Sequence, residues 1–96
     1  MIVNFNDDGT EDIYNGKNTK DARKCCPRDA WSTAQRKLDM LHGATRLSDL
    51  KSVGNSLEKL KHDRKGQHSI MLNEQFRICF IWTDQGPKSV EIVDYH

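Results

Sequence analysis

Three apolar segments separated by turn residues occupy residues 69–93, which read SIMLNEQFRICFIWTDQGPKSVEIV. The middle segment alternates, so that one face of a half-buried strand would carry Phe76, Ile78, Phe80 and Trp82. Asn73-Glu74 and the run 84–87 supply residues that favour tight turns. The stretch therefore predicts hairpin-connected antiparallel strands over residues 69–72, 76–82 and 90–93.

The first half of the chain has the three- to four-residue spacing of helices. The strongest pattern runs from Pro27 to His42, where a single apolar stripe is formed by Ala30, Trp31, Ala34, Leu38 and Leu41. Pro27 suits the first helical position, and Gly43 suits the position after the helix. A shorter helix is expected to begin at Thr10 as its N-cap and to stop at residues 15–16.

The remaining segments complete the predicted order of elements. Residues 2–5 favour a short extended opening, residues 17–24 a loop or a further short turn, and residues 47–50 a brief turn. Helices followed by strands predict an α+β fold, with N-terminal helices packed on one face of a small antiparallel β-sheet. Arg77 would then point to the opposite, uncovered face. If the last strand continues, a shared face carries Glu91, Val93 and Tyr95.

The length and composition predict one domain over residues 1–96. The chain has 96 residues, of which 35% are hydrophobic and 30% charged. Residues 1–8 lack the basic start and long apolar run of a signal peptide, and no run is long enough for a membrane-spanning helix. We therefore expect a soluble cytoplasmic protein with no membrane partner.

The three cysteines favour neither disulfides nor metal. Cys25 and Cys26 are neighbours, which is a poor geometry for bridging one another, and Cys79 lies inside an apolar run. No cysteine pair has the spacing of a zinc site. We therefore expect a reducing compartment, no metal and no cofactor.

The formal net charge of +1 conceals a segregation along the chain. Residues 1–21 carry −3, residues 22–66 carry +6 and residues 67–96 carry −2. A basic middle between acidic ends favours a surface that meets phosphate, although a solvated helix face explains the pattern equally well.

Three groups of residues have the chemistry of a site. The run 58–66 concentrates charge, although a solvated loop is the commoner explanation. Arg77 lies between apolar neighbours, where it needs either a site or a structural partner such as Asp94 or Glu91. The third group is the terminal run 94–96, Asp-Tyr-His, which is either a frayed end or a place for proton transfer that His62, Gln67 and His68 could approach.

Together these groups suit metal-free cleavage of RNA. The reaction needs a base for the 2′-hydroxyl, an acid for the leaving 5′-oxygen and cations for the charge that builds on the phosphate. It acts only on RNA, because DNA lacks the 2′-hydroxyl.

Much of the sequence resembles a known family. Residues 57–61, 63–70, 73–80 and 90–96 resemble the HigB branch of the RelE/ParE toxin superfamily, and residues 34–41 and 44–50 fit in order and spacing. The resemblance implies a type II toxin that cleaves mRNA on the ribosome, with a fold of helices packed on an antiparallel sheet. It also implies a HigA-type helix-turn-helix antitoxin, through which alone the toxin would meet operator DNA.

The resemblance also assigns roles to residues. Arg77 would stabilise the scissile phosphate, and Asp94, Tyr95 and His96 would form the terminal catalytic group, with His96 the leading general acid or base. Some HigB toxins carry histidine where this chain has Glu58, which makes Glu58 a candidate base. RNA phosphates would be bound by Lys59, Lys61, His62, Arg64, Lys65 and His68.

Two other functions are open at this stage. The protein could act on DNA gyrase, as in the ParE branch, or it could be a non-catalytic module that binds the antitoxin. The antitoxin would use the helical surface, where Trp31 and the acidic run 7–12 are candidates, although Trp31 at this spacing also suits the core.

Overall fold

The computed structural model describes residues 1–52 and 54–95, and in this part of the chain three helices lie against one face of a four-stranded antiparallel sheet. The helices are α1 (Asp8–Tyr14), α2 (Lys20–Cys25) and α3 (Trp31–Gly43). The strands, in spatial order, are β1 (Glu58–Lys59), β2 (His68–Met71), β3 (Phe76–Thr83) and β4 (Gly86–Asp94). The predicted α+β architecture is confirmed.

The core lies between the helices and the even-numbered side chains of β3. Ile70, Ile78 and Ile92 are aligned across β2, β3 and β4, and all three belong to the same buried cluster as Leu38 and Leu41 of α3. Burying such side chains is the main source of stability in a domain of this size. The alternation in residues 76–82 therefore gave the correct inward face.

The opposite face of the sheet is covered, so the prediction of an uncovered face around Arg77 was wrong. Arg77 is only 9% exposed, and Cys79 is fully buried. A single 3₁₀ turn (His62–Arg64) brings Arg64 to within 3.6 Å of Glu91 on β4. Because a short segment rather than a helix provides this cover, the apolar pattern gave no sign of it.

Helix α1 begins differently from the prediction. Its N-cap is Asp7, whose carboxylate accepts a hydrogen bond from the Thr10 amide at 2.6 Å. Thr10 is instead buried, and its hydroxyl accepts a hydrogen bond from the Ile92 amide of β4 at 3.0 Å. Both residue types cap helices, and packing against β4 decides between them.

Three further helical segments differ from the sequence-based expectation. Helix α2 forms in the region expected to be a loop or a turn, with the Thr19 hydroxyl accepting from the Ala22 amide as its cap. The stripe predicted from Pro27 opens with a 3₁₀ turn (Arg28–Ala30) before α3 begins, and Gly43 is the last helical residue rather than the one after the helix. Residues 47–50, expected as a brief turn, form a 3₁₀ helix (Leu47–Leu50).

The N-terminal segment lies beside β4. Phe5 forms a parallel bridge with Val90, and the Val3 amide donates to the Pro87 carbonyl at 2.8 Å. Gly86 has a φ of 121°, and a Cβ added there would collide with the carbonyl of Met1. This close approach lets β4 begin at Gly86, so the turn contains Asp84 and Gln85 and is shorter than predicted.

Candidate active site

Arg77 is held by hydrogen bonds to neutral groups. Its Nε donates to the Ser69 hydroxyl at 2.7 Å, and its Nη2 donates to the Ser56 carbonyl at 2.5 Å. Within the described residues, the salt bridges do not include Arg77, and Glu91 pairs with Arg64 instead. A nearly buried guanidinium whose partners among the described residues are all neutral keeps its positive charge available for an anionic group.

Tyr95 lies directly over this arginine. The Arg77 guanidinium carbon is 5.8 Å from the centre of the Tyr95 ring, and the tyrosine is 46% exposed. The Tyr95 amide donates to the Gln75 carbonyl at 2.8 Å, and the Gln75 side chain donates to the Asp94 carboxylate at 3.0 Å. The chain end is therefore fixed to the β2–β3 turn as far as Tyr95, while the predicted acid or base His96 lies outside the described residues.

The sheet register places Glu58 on the same face as Arg77. Glu58 of β1 is paired with Ser69, and Ser69 is paired with Cys79, two residues along β3 from Arg77. Glu91 and Val93 share this face as predicted, because they pair with Cys79 and Arg77. Glu58 is exposed and Arg77 is nearly buried, so an exposed carboxylate and the arginine lie on the same face of the sheet.

His68 and Lys59 lie on the other face of the sheet. They are paired with each other, and His68 is paired with Phe80, whose ring it stacks upon at 6.2 Å. Burial, followed by the nearby Lys59 ammonium, lowers the pKa of His68. The structure therefore separates these two residues from Arg77, and the approach of His68 to the terminal group is not observed.

The other basic residues form two sets. A pocket of about 390 Å³ is lined by Lys59, Leu60, Lys61, His62 and Lys65. Arg64 instead reaches over the Arg77 face, where its Nη1 donates to the Gln67 side chain at 3.1 Å. Burial raises the pKa of the Cys79 thiol, and the positive charge of the nearby Arg64 acts in the opposite direction. Positive charge thus extends from the face around Arg77 to the pocket beyond β1.

Ser56 and Ser69 are the residues of the site that the sequence did not single out. Ser69 was recognised only as part of a strand, and no prediction covered Ser56. Their contact with Arg77 depends on strand register and on the path of the preceding loop, which local patterns do not specify. The sequence feature that could have pointed to this contact was the hydroxyl of Ser69 in the otherwise apolar run 69–72.

The described residues contain no group of three or more His, Cys, Asp or Glu side chains that could hold a metal ion. They also contain no helix that is long and apolar enough to cross a membrane.

The fold agrees with comparisons to known proteins. A solved structure, the YoeB-YefM complex from Staphylococcus aureus, contains a chain that matches with a TM-score of 0.61 at 18% identity, covering 100% of this chain and 98% of that one. At this identity the likeness establishes the fold, which is that of the RelE-like toxins.

The sequence comparisons define the family more closely. The model of the RelE-like toxins of type II toxin–antitoxin systems, HigB, matches residues 3–96. The chain is also 33% identical over 85 residues to Toxin HigB-1 of Vibrio cholerae serotype O1, covering 88% of this chain and 86% of that protein. This protein belongs to the HigB-like toxin family.

Proposed function

We propose that this toxin is an endoribonuclease that cleaves mRNA on the ribosome without a metal ion. The observation that carries the proposal is the Arg77 guanidinium, which is nearly buried, bound only to neutral protein groups in the described contacts and stacked beneath the exposed Tyr95. Desolvating a charge is costly, and an RNA phosphate is the partner that would offset this cost during catalysis.

The reaction would be an attack of the 2′-hydroxyl oxygen on the adjacent phosphorus. A base takes the hydroxyl proton, the new bond from O2′ to phosphorus forms a 2′,3′-cyclic phosphate, and the bond to the 5′-oxygen breaks. An acid then gives a proton to that 5′-oxygen. Arg77 would stabilise the negative charge on the phosphate oxygens in the transition state.

The remaining roles follow from the positions of the side chains. His96 is the leading candidate for acid or base, and Glu58 is an alternative base because it lies on the Arg77 face. Tyr95 would orient the substrate or share in proton transfer. Asp94 is bound by Gln75 next to it and would orient the terminal group.

The RNA would continue from this face across the basic segment after β1. Lys61, His62 and Lys65 line a pocket there and would bind phosphates of mRNA or ribosomal RNA, together with Lys59. Arg64 would bind a phosphate only by exchanging its present contact with Glu91. His68 is the weakest member of the proposed RNA-binding set, because its ring stacks on Phe80.

The proposal includes a protein partner. An antitoxin, which we propose to be of the HigA type with a helix-turn-helix domain, would neutralise the toxin and carry the contact with operator DNA. The YefM chain in the structurally similar complex gives a precedent for a toxin of this fold bound to another protein.

The test is to map the 5′ ends produced from one mRNA, both free and on translating ribosomes, with EDTA added to the free-RNA arm alone. We expect cuts on ribosomes and none on free RNA, with or without EDTA, and a loss of roughly a hundredfold or more for Arg77→Ala. His96→Ala should also reduce cleavage, whereas Arg23→Ala, which removes an exposed arginine from α2, should not.

The other outcomes identify different functions. Cuts on free RNA that survive EDTA would remove the ribosome from the mechanism. If the unmodified protein is toxic but cleaves no RNA, the result would favour action on DNA gyrase. If it is neither toxic nor able to cleave RNA but still binds the antitoxin, the result would favour a purely regulatory module.

A further inference from the structure

Lys37 is a buried lysine at the edge of the apolar stripe of α3. It is 6% exposed, and its neighbours Ala34, Leu38 and Leu41 on the same helix are core residues. Its ammonium donates to the Asn55 side-chain oxygen at 2.6 Å and to the Gly54 carbonyl at 3.1 Å. Among the described residues no carboxylate forms a salt bridge with it. Burying an ammonium whose described partners are neutral oxygens costs desolvation free energy that no opposite charge among these partners offsets.

Asn55 is fixed on every side. Its side-chain nitrogen donates to the Leu50 carbonyl at 3.0 Å and lies 3.1 Å from the Met40 sulfur. Its backbone carbonyl accepts a hydrogen bond from the Met71 amide of β2. The fully buried Asn55 therefore joins α3, the 3₁₀ helix at residues 47–50 and the sheet at one point.

Ser56, the residue after Asn55, connects this fixed point to Arg77. Ser56 has a φ of 46°, which lies in the left-handed region that residues other than glycine rarely adopt. In this conformation its carbonyl accepts the hydrogen bond from Arg77 Nη2. The Nε end of the guanidinium is thus held by the Ser69 hydroxyl of β2. Nη2 is held by the Ser56 carbonyl, whose place depends on Asn55, with a longer contact of 3.4 Å to the Ser69 carbonyl.

We propose that Lys37 and Asn55 are positioning residues for the reaction, because together they hold the Ser56 carbonyl where it aims the Arg77 guanidinium. This inference rests on the proposed function for its catalytic consequence, but the aiming of Arg77 is measurable without it. Lys37 lies on the helix side of the sheet, and its effect on Arg77, which lies on the opposite face, would pass through residues 54–56. Burial lowers the pKa of Lys37, which agrees with an ammonium that has exchanged water for two oxygen acceptors.

The test compares Lys37→Met with Lys51→Met in the full-length protein. Both changes remove one positive charge. Lys51 is exposed and lies in the loop that leads to Asn55, so it serves as the matched control. In Lys37→Met the Arg77 Nη2–H resonance should shift, and its exchange with water should quicken about tenfold, as for the loss of the hydrogen bond to the Ser56 carbonyl. On ribosomes kcat should fall by about tenfold to a hundredfold, with KM nearly unchanged, because Arg77 acts in the transition state. Lys51→Met should change neither quantity.

The two readouts separate the failure of this inference from that of the proposed function. An unchanged Arg77 resonance in a folded Lys37→Met protein would overturn the positioning role. A shifted resonance in a protein whose unmodified form cleaves no RNA would support the positioning and overturn the proposed function. If Lys37→Met does not fold, Lys37→Ala removes the donor to Asn55 and leaves room for water at the Asn55 and Gly54 oxygens. An Arg77 resonance identical to that of the unmodified protein would then count against the inference.

Discussion

The two faces of β3 are both buried, but they are buried by different means. On the helix side, Ile78 and Phe80 pack among side chains of α3 and the neighbouring strands. On the other side, Arg77 is held by oxygens of Ser56 and Ser69. The first face is built from dispersion and hydrophobic burial, which tolerate many partners. The second depends on hydrogen bonds at fixed positions, which is the requirement of a site rather than of a core.

The largest expected effect on stability comes from truncating the helix-side face. Phe80→Ala should lower the free energy of unfolding by about 3–5 kcal/mol, because it leaves a cavity among residues that are fully buried. Cys79→Ala, at the next position on the other face, should cost only about 1 kcal/mol. Urea unfolding of both variants makes the comparison. Equal losses would show that the two faces do not differ in the way described.

A smaller effect on stability but a larger one on activity is expected on the Arg77 face. Ser69→Ala removes the acceptor of the Arg77 Nε hydrogen bond. It should cost about 1 kcal/mol in unfolding free energy and reduce cleavage about tenfold. Ser52→Ala, an exposed serine in the preceding loop, is the control. Cleavage by Ser69→Ala at the unmodified rate would mean that the Ser56 carbonyl alone fixes the guanidinium.

Local patterns predicted the helix-side face and missed most of what surrounds the other one. The alternation of β3 and the stripe of α3 were visible because each repeats within its own element. Helix α2 escaped prediction because Ala22 is its only buried residue, which leaves no stripe to detect. The cap of α1 was misassigned because Thr10 was assigned from its type, whereas its hydroxyl is used by β4.

The site was predictable only in part. Arg77 stood out as a charge within an apolar run and residues 94–96 as a group able to transfer protons, whereas Glu58 became a candidate base only through the resemblance to HigB toxins. The groups that hold Arg77 come from Ser69 on the neighbouring strand β2 and from Ser56 in a loop anchored by Lys37. Such contacts join residues far apart in sequence, so neither spacing nor composition encodes them. The roles of the site residues are predictions that activity measurements must decide.

The smallest expected effect is a dependence of stability on pH through His68. The folded state lowers the pKa of His68 from its ordinary value of 6.5, through burial and then through Lys59. Between the lowered pKa and 6.5 the unfolded chain binds more protons, so stability should rise with pH across this window and fall on acidification.

The variant His68→Phe keeps a ring on Phe80 and removes the titrating group, so the slope of unfolding free energy against pH in that window should decrease. Urea unfolding at a series of pH values gives the slope. An identical slope in the two proteins would place the titration elsewhere.

The central claim is that the Arg77 guanidinium is held for an RNA phosphate and not for the stability of the fold. The most direct measurement determines ribosome-dependent mRNA cleavage and unfolding free energy for Arg77→Met in parallel. We predict that cleavage falls at least about a hundredfold, while the unfolding free energy changes by only about 1–2 kcal/mol. A folded Arg77→Met protein that cleaves within about twofold of the unmodified rate, far short of the loss expected for a transition-state contact, would contradict the account.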